Sequence, residues 1–447
     1  MSFLYPFLNF LQPGIVWPDL AVYKPMLVAS LLALLSGMIG SRKLAPRPQV
    51  LAKSTMWWMI AFVMLQGLSM YRSGGKAMLD MLGFWYIYPV FVVLSVLLMR
   101  DEKALQRYIW GMLVGSMFVV AWGIWAKYSG YNSVIHPGEP YSMDGRAGAY
   151  GMYRNQNDYS FIIVQIVPFL YLFWRTERSF VRRILLLASL LTCVIAMMLC
   201  LSRGGMLALV LEFFLILVLT MSRGKVMLLL PLALIVAGAG VGYQWKMRAE
   251  NQAGVYTYAE SKDTRLQLWH AARVMIEDNP LLGVGSRSFG EHAKHYITLS
   301  HDDLGKNAHN TYLDIAATSG LTGLLCFMVM IWTAWKRLRV KPRKSGPPSD
   351  RLEAIRVAAL ITLLAILFRG LMDAKETDWS FYTLVAIAMG VEHLFRIRAR
   401  VAVRQSEPSQ PFTASQVGMS RGRRRLGASE AVRRASMEAM RGGRDPA

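Results

Sequence analysis

Eleven apolar runs dominate the chain, at about 20–39, 54–71, 82–99, 108–128, 158–174, 184–201, 205–221, 226–243, 313–335, 354–372 and 378–395. Each is close to the roughly 20 residues that an α-helix needs to cross hydrocarbon, the shorter ones relying on snorkelling ends. Hydrophobic residues make up 54% of the 447 and charged residues only 17%, a balance too apolar for an ordinary soluble protein. The expected fold is all-α, a polytopic integral membrane helical bundle of 11–12 transmembrane helices. The twelfth candidate is the amino-terminal MSFLYPFLNFLQPG. No basic residue precedes its short apolar stretch, so it reads as a retained first span or a re-entrant piece rather than a cleaved signal.

A formal net charge of +22 would invite nucleic acid as a partner, but the basic residues fall in alternate loops, the pattern of a cytoplasmic membrane face. Arg42, Lys43, Arg47 and Lys53 share a side with Arg100, Lys103 and Arg107, then with Arg175, Arg178, Arg182 and Arg183. Arg223, Lys225 and the cluster from Lys336 to Arg356 continue it. That side is expected to be cytoplasmic, with no nucleic acid bound. The loops at 129–157, Ser202–Gly205, 243–312 and Asp373–Thr377 then face out. Cys193, Cys200 and Cys326 all sit in apolar runs as small hydrophobes, so no disulfide framework is read.

Four parts follow: amino-terminal spans over 1–243 with the outward loop 129–157, a polar segment over 244–312, further spans over 313–395, and a tail over 396–447. Too poor in apolar residues to build a core, the tail is expected to be disordered and cytoplasmic, solvated or held by its arginines against anionic lipid. The polar segment is too long for a structureless connection, so it is expected to contain helices and to carry function.

Four constellations on the outward side offer chemistry. In RAGAYGMYRNQNDYS, Arg146, Arg154, Asn155 and Asn157 stand at a helix start, where guanidinium forks and free N–H groups suit an anion; the asparagines equally suit helix capping. In LSRGG, Arg203 occupies a tight turn, either facing an anionic ligand or snorkelling to headgroups. From about Ser261 a helix places Arg265, Trp269 and Arg273 on one face, suited to a lipid diphosphate or sugar, or to lying in the interface. In AHNTYLD, His309 and Asn310 precede an apolar run; an imidazole there suits proton transfer from a hydroxyl, while capping is the plainer role. His292, His295, His301, Asp302, Asp303 and His309 cluster in sequence but match no specific zinc spacing, so no metal is expected. Glu212, central in an apolar run, calls for a bundle-facing partner or protonation.

Taken in order, RAGAYGMYRNQNDYS, SRGG between apolar helices, SxxxR at Ser261–Arg265, DNPLLGVG, AHNTYL and SGLTGLL resemble the O-antigen ligase and O-antigen polymerase superfamily over about residues 140–335. Arg154 within the asparagine motif and Asn307 ahead of His309 depart from the family pattern. The resemblance implies a multi-pass glycosyltransferase of the bacterial inner membrane, working at the periplasmic face with an undecaprenyl-diphosphate-linked glycan donor and no cofactor or metal. It implies His309 and Arg265 as catalytic residues, and Arg203, Arg146, Arg154, Asn155, Asn157, Asn310 and Trp269 as holding diphosphate or glycan. Arginines would stabilise the leaving diphosphate while His309 takes the acceptor proton and the anomeric centre inverts. A ligase acting on lipid A core is the expected member. A polymerase, an enzyme glycosylating protein hydroxyls, or a transporter using Glu212 as its proton site are the alternatives.

Overall fold

A computed structural model describes residues 1–39, 54–129, 146–251, 258–297, 306–339 and 350–406. The helices are α1 (Leu4–Leu11), α2 (Pro13–Val16), α3 (Pro25–Ile39), α4 (Ser54–Leu68), α5 (Gly75–Trp85), α6 (Ile87–Leu98), α7 (Glu102–Ser129) and α8 (Gln156–Thr176). There follow α9 (Phe180–Cys200), α10 (Arg203–Thr220), α11 (Arg223–Asn251), α12 (Tyr258–Asp278), α13 (Phe289–Ala293), α14 (Thr311–Leu338), α15 (Arg351–Arg369) and α16 (Trp379–Ser406). No strand occurs among the described residues.

Nine stretches among the described residues are long and apolar enough to cross a membrane: Asp19–Gly37, Gly75–Leu98, Glu102–Ser129, Gln156–Thr176, Phe180–Cys200, Arg203–Thr220, Arg223–Met247, Thr311–Leu338 and Trp379–Val403. Two helices complete the eleven expected from the apolar runs. α4 is shorter, at 15 residues, and α15 carries Arg351, Glu353, Arg356 and Arg369. The amino-terminal segment is not a twelfth span. α1 has 8 residues, about 12 Å of helix against a hydrocarbon core of roughly 30 Å. It lies instead in a groove of α7 that glycines open: a Cβ on Gly111 would sit 2.1 Å from the Phe3 carbonyl oxygen, and one on Gly115 2.7 Å from that of Phe7.

α8 is the central post, with every residue from Tyr159 to Leu170 buried between α7, α9, α10 and α15. α11 is its opposite, a peripheral helix whose Met227, Leu228 and Ile235 are more than two-thirds exposed and so suited to lipid. α16 runs to Ser406, well past the expected end at 395, with Arg398 tied down by charge just beyond it. The Arg398 guanidinium forks across both oxygens of Glu102 and donates to Asp350 at 2.9 Å. The remainder of the expected tail, 407–447, lies outside the described residues.

The polar segment docks on the bundle through a break in α14. Gly320 takes φ 74°, ψ 175° inside that helix, a conformation that side chains resist, and the break frees carbonyls one turn earlier. The turn after α12 fills the gap: Val284 N–H donates to Ala317 O at 2.9 Å, Gly285 N–H to Thr318 O at 3.0 Å, and Leu321 N–H to Pro280 O at 2.8 Å. Beneath it, Gln66 Oε1 accepts from Ser286 Oγ at 2.6 Å and Ser319 Oγ at 2.8 Å, and Trp85 Nε1 donates to Ser286 Oγ at 3.0 Å. DNPLLGVGS thus works as a splice that fixes α12 against α14.

A Cβ on Gly320 would lie 2.1 Å from the Leu281 carbonyl oxygen and would hold an unfavourable φ, whereas Gly224 has open space around it. Gly320→Ala is expected to destabilise the protein by at least about 1–2 kcal/mol. A thermal melt of the purified protein checks this: a clear drop for Gly320→Ala, with Gly224→Ala melting like the parent.

Candidate active site

The sequence around His309 is built to hold one imidazole. Asn310 is in extended conformation and caps α14, its Oδ1 accepting from Tyr312 N–H at 3.0 Å and Leu313 N–H at 3.1 Å. Ahead of it, Ala308 N–H donates to Asp314 Oδ1 at 2.9 Å and His309 N–H to Asn307 Oδ1 at 3.1 Å. These staples hold His309 at φ 48°, in the left-handed region, at an expense of about 1–2 kcal/mol of local strain that only a well-braced site sustains. Trp269 of α12 adds a brace from outside, donating from Nε1 to Ala308 O at 3.0 Å.

The ring is aimed at Asp373, in the loop between α15 and α16, with Nδ1 to Oδ1 at 3.4 Å. That loop is anchored to the same helix start: Thr311 N–H donates to Gly370 O at 2.8 Å and Asp373 O at 3.0 Å, and Thr311 Oγ1 to Asp373 O at 2.8 Å. Asn310 Nδ2 donates to Leu371 O at 3.3 Å. A carboxylate on Nδ1 favours the tautomer with the proton there, leaving Nε2 as the free base.

Cations surround Asp373. Its Oδ2 meets Lys375 Nζ at 3.3 Å and an Arg369 NH2 at 3.4 Å, and Lys375 also pairs with Asp158 of α8. Arg369 is 2% exposed and lies along the SRGG turn, where its NH1 comes within 2.9 Å of the place a Gly204 Cβ would occupy. Its Nε is buried with no hydrogen-bond partner among the described residues. Burial alone would raise the Asp373 carboxyl, but Lys375, His309 and Arg369 hold it well below the usual carboxylate range. Burial likewise opposes the charge of Lys375, and Asp373 with Asp158 more than offsets it, raising the amine. Arg265 is pushed below the ordinary guanidinium value, first by burial and also by Arg203 and Arg369, with Asp373 opposing. Like charges crowded in this way mark a place where an anion is favourable.

Of the residues singled out from the sequence, His309, Asn310, Trp269, Arg265 and Arg203 converge at this end of the bundle. Arg146 lies near Cys200, with its neighbour Ala147 donating N–H to Leu199 O at 2.9 Å. Asn157 joins the loop to the SRGG turn, accepting from Ser202 Oγ at 2.9 Å. Asn155 caps α8, accepting from Asn157 N–H at 2.8 Å, and both Asn155 and Arg154 are exposed. Arg273 turns away from the site to an exposed pair with Glu277. His292 faces Ser288 O, and His301, Asp302 and Asp303 lie outside the described residues. Glu212 is buried near Cys193, both carboxyl oxygens without a hydrogen-bond partner among the described residues.

Arg369, Asp373 and Lys375 were not among those residues. Their signal was present in FRGLMDAKETD, an arginine closing an apolar run followed by alternating charges in a short loop. Lys375 is the counter-charge for two carboxylates, Asp373 at 6% exposure and Asp158 at 24%. Lys375→Met is therefore expected to destabilise the protein by about 3–5 kcal/mol. In thermal melts Lys375→Met should fall sharply, while Arg273→Ala, which removes only an exposed pair, should not move.

Residues 188–328 match the family model described as O-antigen ligase. No curated protein matches the chain. The matched stretch runs from within α9 to within α14 and includes Arg203, Arg265, Trp269 and His309, while Arg146, Arg369, Asp373 and Lys375 lie outside it. Over this stretch, which carries the SRGG turn, α12 and the start of α14, the chain is similar to the O-antigen ligase family.

Proposed function

We propose that the chain is an O-antigen ligase that moves a glycan from undecaprenyl diphosphate to a hydroxyl of lipid A core at the periplasmic face of a bacterial inner membrane. The observation that carries this reading is the His309 imidazole braced by buried Asp373 within a cluster of Arg203, Arg265, Arg369 and Lys375. A base beside several cations suits a reaction in which a hydroxyl loses a proton while a diphosphate departs. Room for the donor's lipid supports it too. An apolar crevice of about 470 Å³ opens between α9, α10 and α11, lined by Met198, Met206, Phe213, Leu217 and Leu230. Met206 is less than one turn from Arg203, so a polyprenyl chain lying there would present its diphosphate to the arginines.

In this mechanism Arg265, Arg203 and Arg369 hold the diphosphate. Charge develops on the leaving oxygen as the anomeric C–O bond breaks, and fixed guanidinium groups away from bulk water stabilise it without reorganising. Nε2 of His309 takes the acceptor proton while Asp373 stabilises the imidazolium that forms. Attack from the face opposite the diphosphate inverts the anomeric centre. No covalent intermediate is required, because polyprenyl diphosphate is already a good leaving group.

Purified protein given undecaprenyl-diphosphate glycan and lipid A core, with EDTA present, is expected to label the core. Longer glycan on the carrier instead would make the chain a polymerase, and product on a protein hydroxyl would make it a protein glycosylation enzyme. Uptake that requires Glu212 and persists without His309 would replace the whole reading with transport. Arg265→Ala is expected to lower turnover by about 10²–10³-fold and His309→Ala by about 10²–10⁴-fold, in protein that melts like the parent. Transfer within a few-fold of normal for either variant would remove that residue from its role.

A further inference from the structure

At the end of the bundle opposite His309, a second crevice of about 540 Å³ opens between α7 and α9, and no step of the transfer reaction uses it. α7 and α9 are joined through the single antiparallel helix α8, so they run in the same direction. Arg107, one turn into α7, and Arg182, near the start of α9, therefore stand at the same level, both on the rim of the crevice. Below them the walls are apolar. Trp110 and Met117 continue the Arg107 face of α7, Leu185 and Leu186 continue the Arg182 face of α9, and Leu170 of α8 closes the back. From Arg107 to Met117 is ten residues, about 15 Å along the helix, the depth of one leaflet of a hydrocarbon core roughly 30 Å thick.

We propose that this crevice is a binding site for an anionic phospholipid, its phosphate held by Arg107 and Arg182 and an acyl chain laid between α7 and α9. Neither charge is closely paired. Arg107 makes no ion pair among the described residues, and the nearest carboxylate to Arg182, on Glu177, is 4.0 Å away. That carboxylate is already engaged by Arg351 at 3.0 Å and by the backbone N–H groups of Arg178 and Ser179 at 2.9 and 3.1 Å. Two guanidinium forks, one unpaired among the described residues and one only loosely paired, above an apolar slot match a phosphate above a hydrocarbon chain. A headgroup with net negative charge is selected, because a zwitterionic one brings its own ammonium close to the two arginines.

Native mass spectrometry of the full chain tests the assignment, with acyl-matched phosphatidylglycerol and phosphatidylethanolamine added in equal amounts to the detergent-purified protein. The parent should retain phosphatidylglycerol in preference, and the double variant Arg107→Ala/Arg182→Ala should lose roughly 30-fold of that retention with phosphatidylethanolamine unchanged. Ser189→Trp gives an independent check, since it fills the crevice but keeps both arginines and should lose the lipid regardless of headgroup. Equal retention of the two lipids by the parent, or phosphatidylglycerol retention unchanged in either variant, would overturn the site. Displacement by equimolar undecaprenyl phosphate would reassign the crevice to the polyprenyl carrier. The readout is lipid retention and not glycan transfer, so its failure leaves the proposed reaction untouched.

Discussion

Three parts of the chain meet at Asp373. Its backbone oxygen accepts from Thr311 at the head of α14, and its carboxylate faces His309, Arg369 and Lys375, with Lys375 reaching on to Asp158 of α8. A carboxylate buried in a helical bundle is unfavourable alone, and each of these cations is unfavourable alone in the same place. Each therefore holds the others where they are. The imidazole is aligned by a residue 64 positions away, and its neighbours come from helices that share no local sequence.

A second constraint delivers the remaining cations. α12 is the least apolar of the long helices, and it buries only a narrow face, Leu268, Ala271, Ala272 and Met275, in a small cluster with Ala308, Leu313 and Ala317. It reaches Arg265 into the site because the turn that follows it is spliced into the break at Gly320 by backbone hydrogen bonds. The break leaves carbonyls that no helical N–H can satisfy, and the turn brings N–H groups that have no strand to join. Each side supplies what the other lacks, so the end of α12 is fixed by an obligation to pair buried backbone groups, and its small apolar cluster fixes the rest.

The helical, membrane-spanning character was legible in the sequence because hydrophobic length is a local property, and the runs near 158–174, 184–201 and 205–221 each became a helix. The motifs at SRGG, SxxxR and AHNTYL were legible for a related reason: polar residues at the ends of apolar runs are conspicuous. Less legible was the split between chemistry and architecture inside one motif. Asn155 caps a helix and Asn157 ties two loops, while Arg154 stands exposed beside them. Nothing in the spacing of those residues separates the roles, since a capping amide and a ligand-binding amide occupy the same position at a helix start.

By itself the sequence determined that the chain is a helical membrane protein, that one long polar segment interrupts its spans, and that arginine, asparagine and histidine stand at the ends of several apolar runs. Burial length, charge in alternate loops and the residue types at helix ends carry that information without reference to any distant contact. Only the tertiary structure decided that Asp373, Arg369 and Lys375 gather beside His309, that the amino-terminal helix is a short wedge against α7, and that α16 continues to Ser406. Each of those depends on which charges and backbone groups are brought within reach once the helices pack, a property of pairs of residues far apart in the chain.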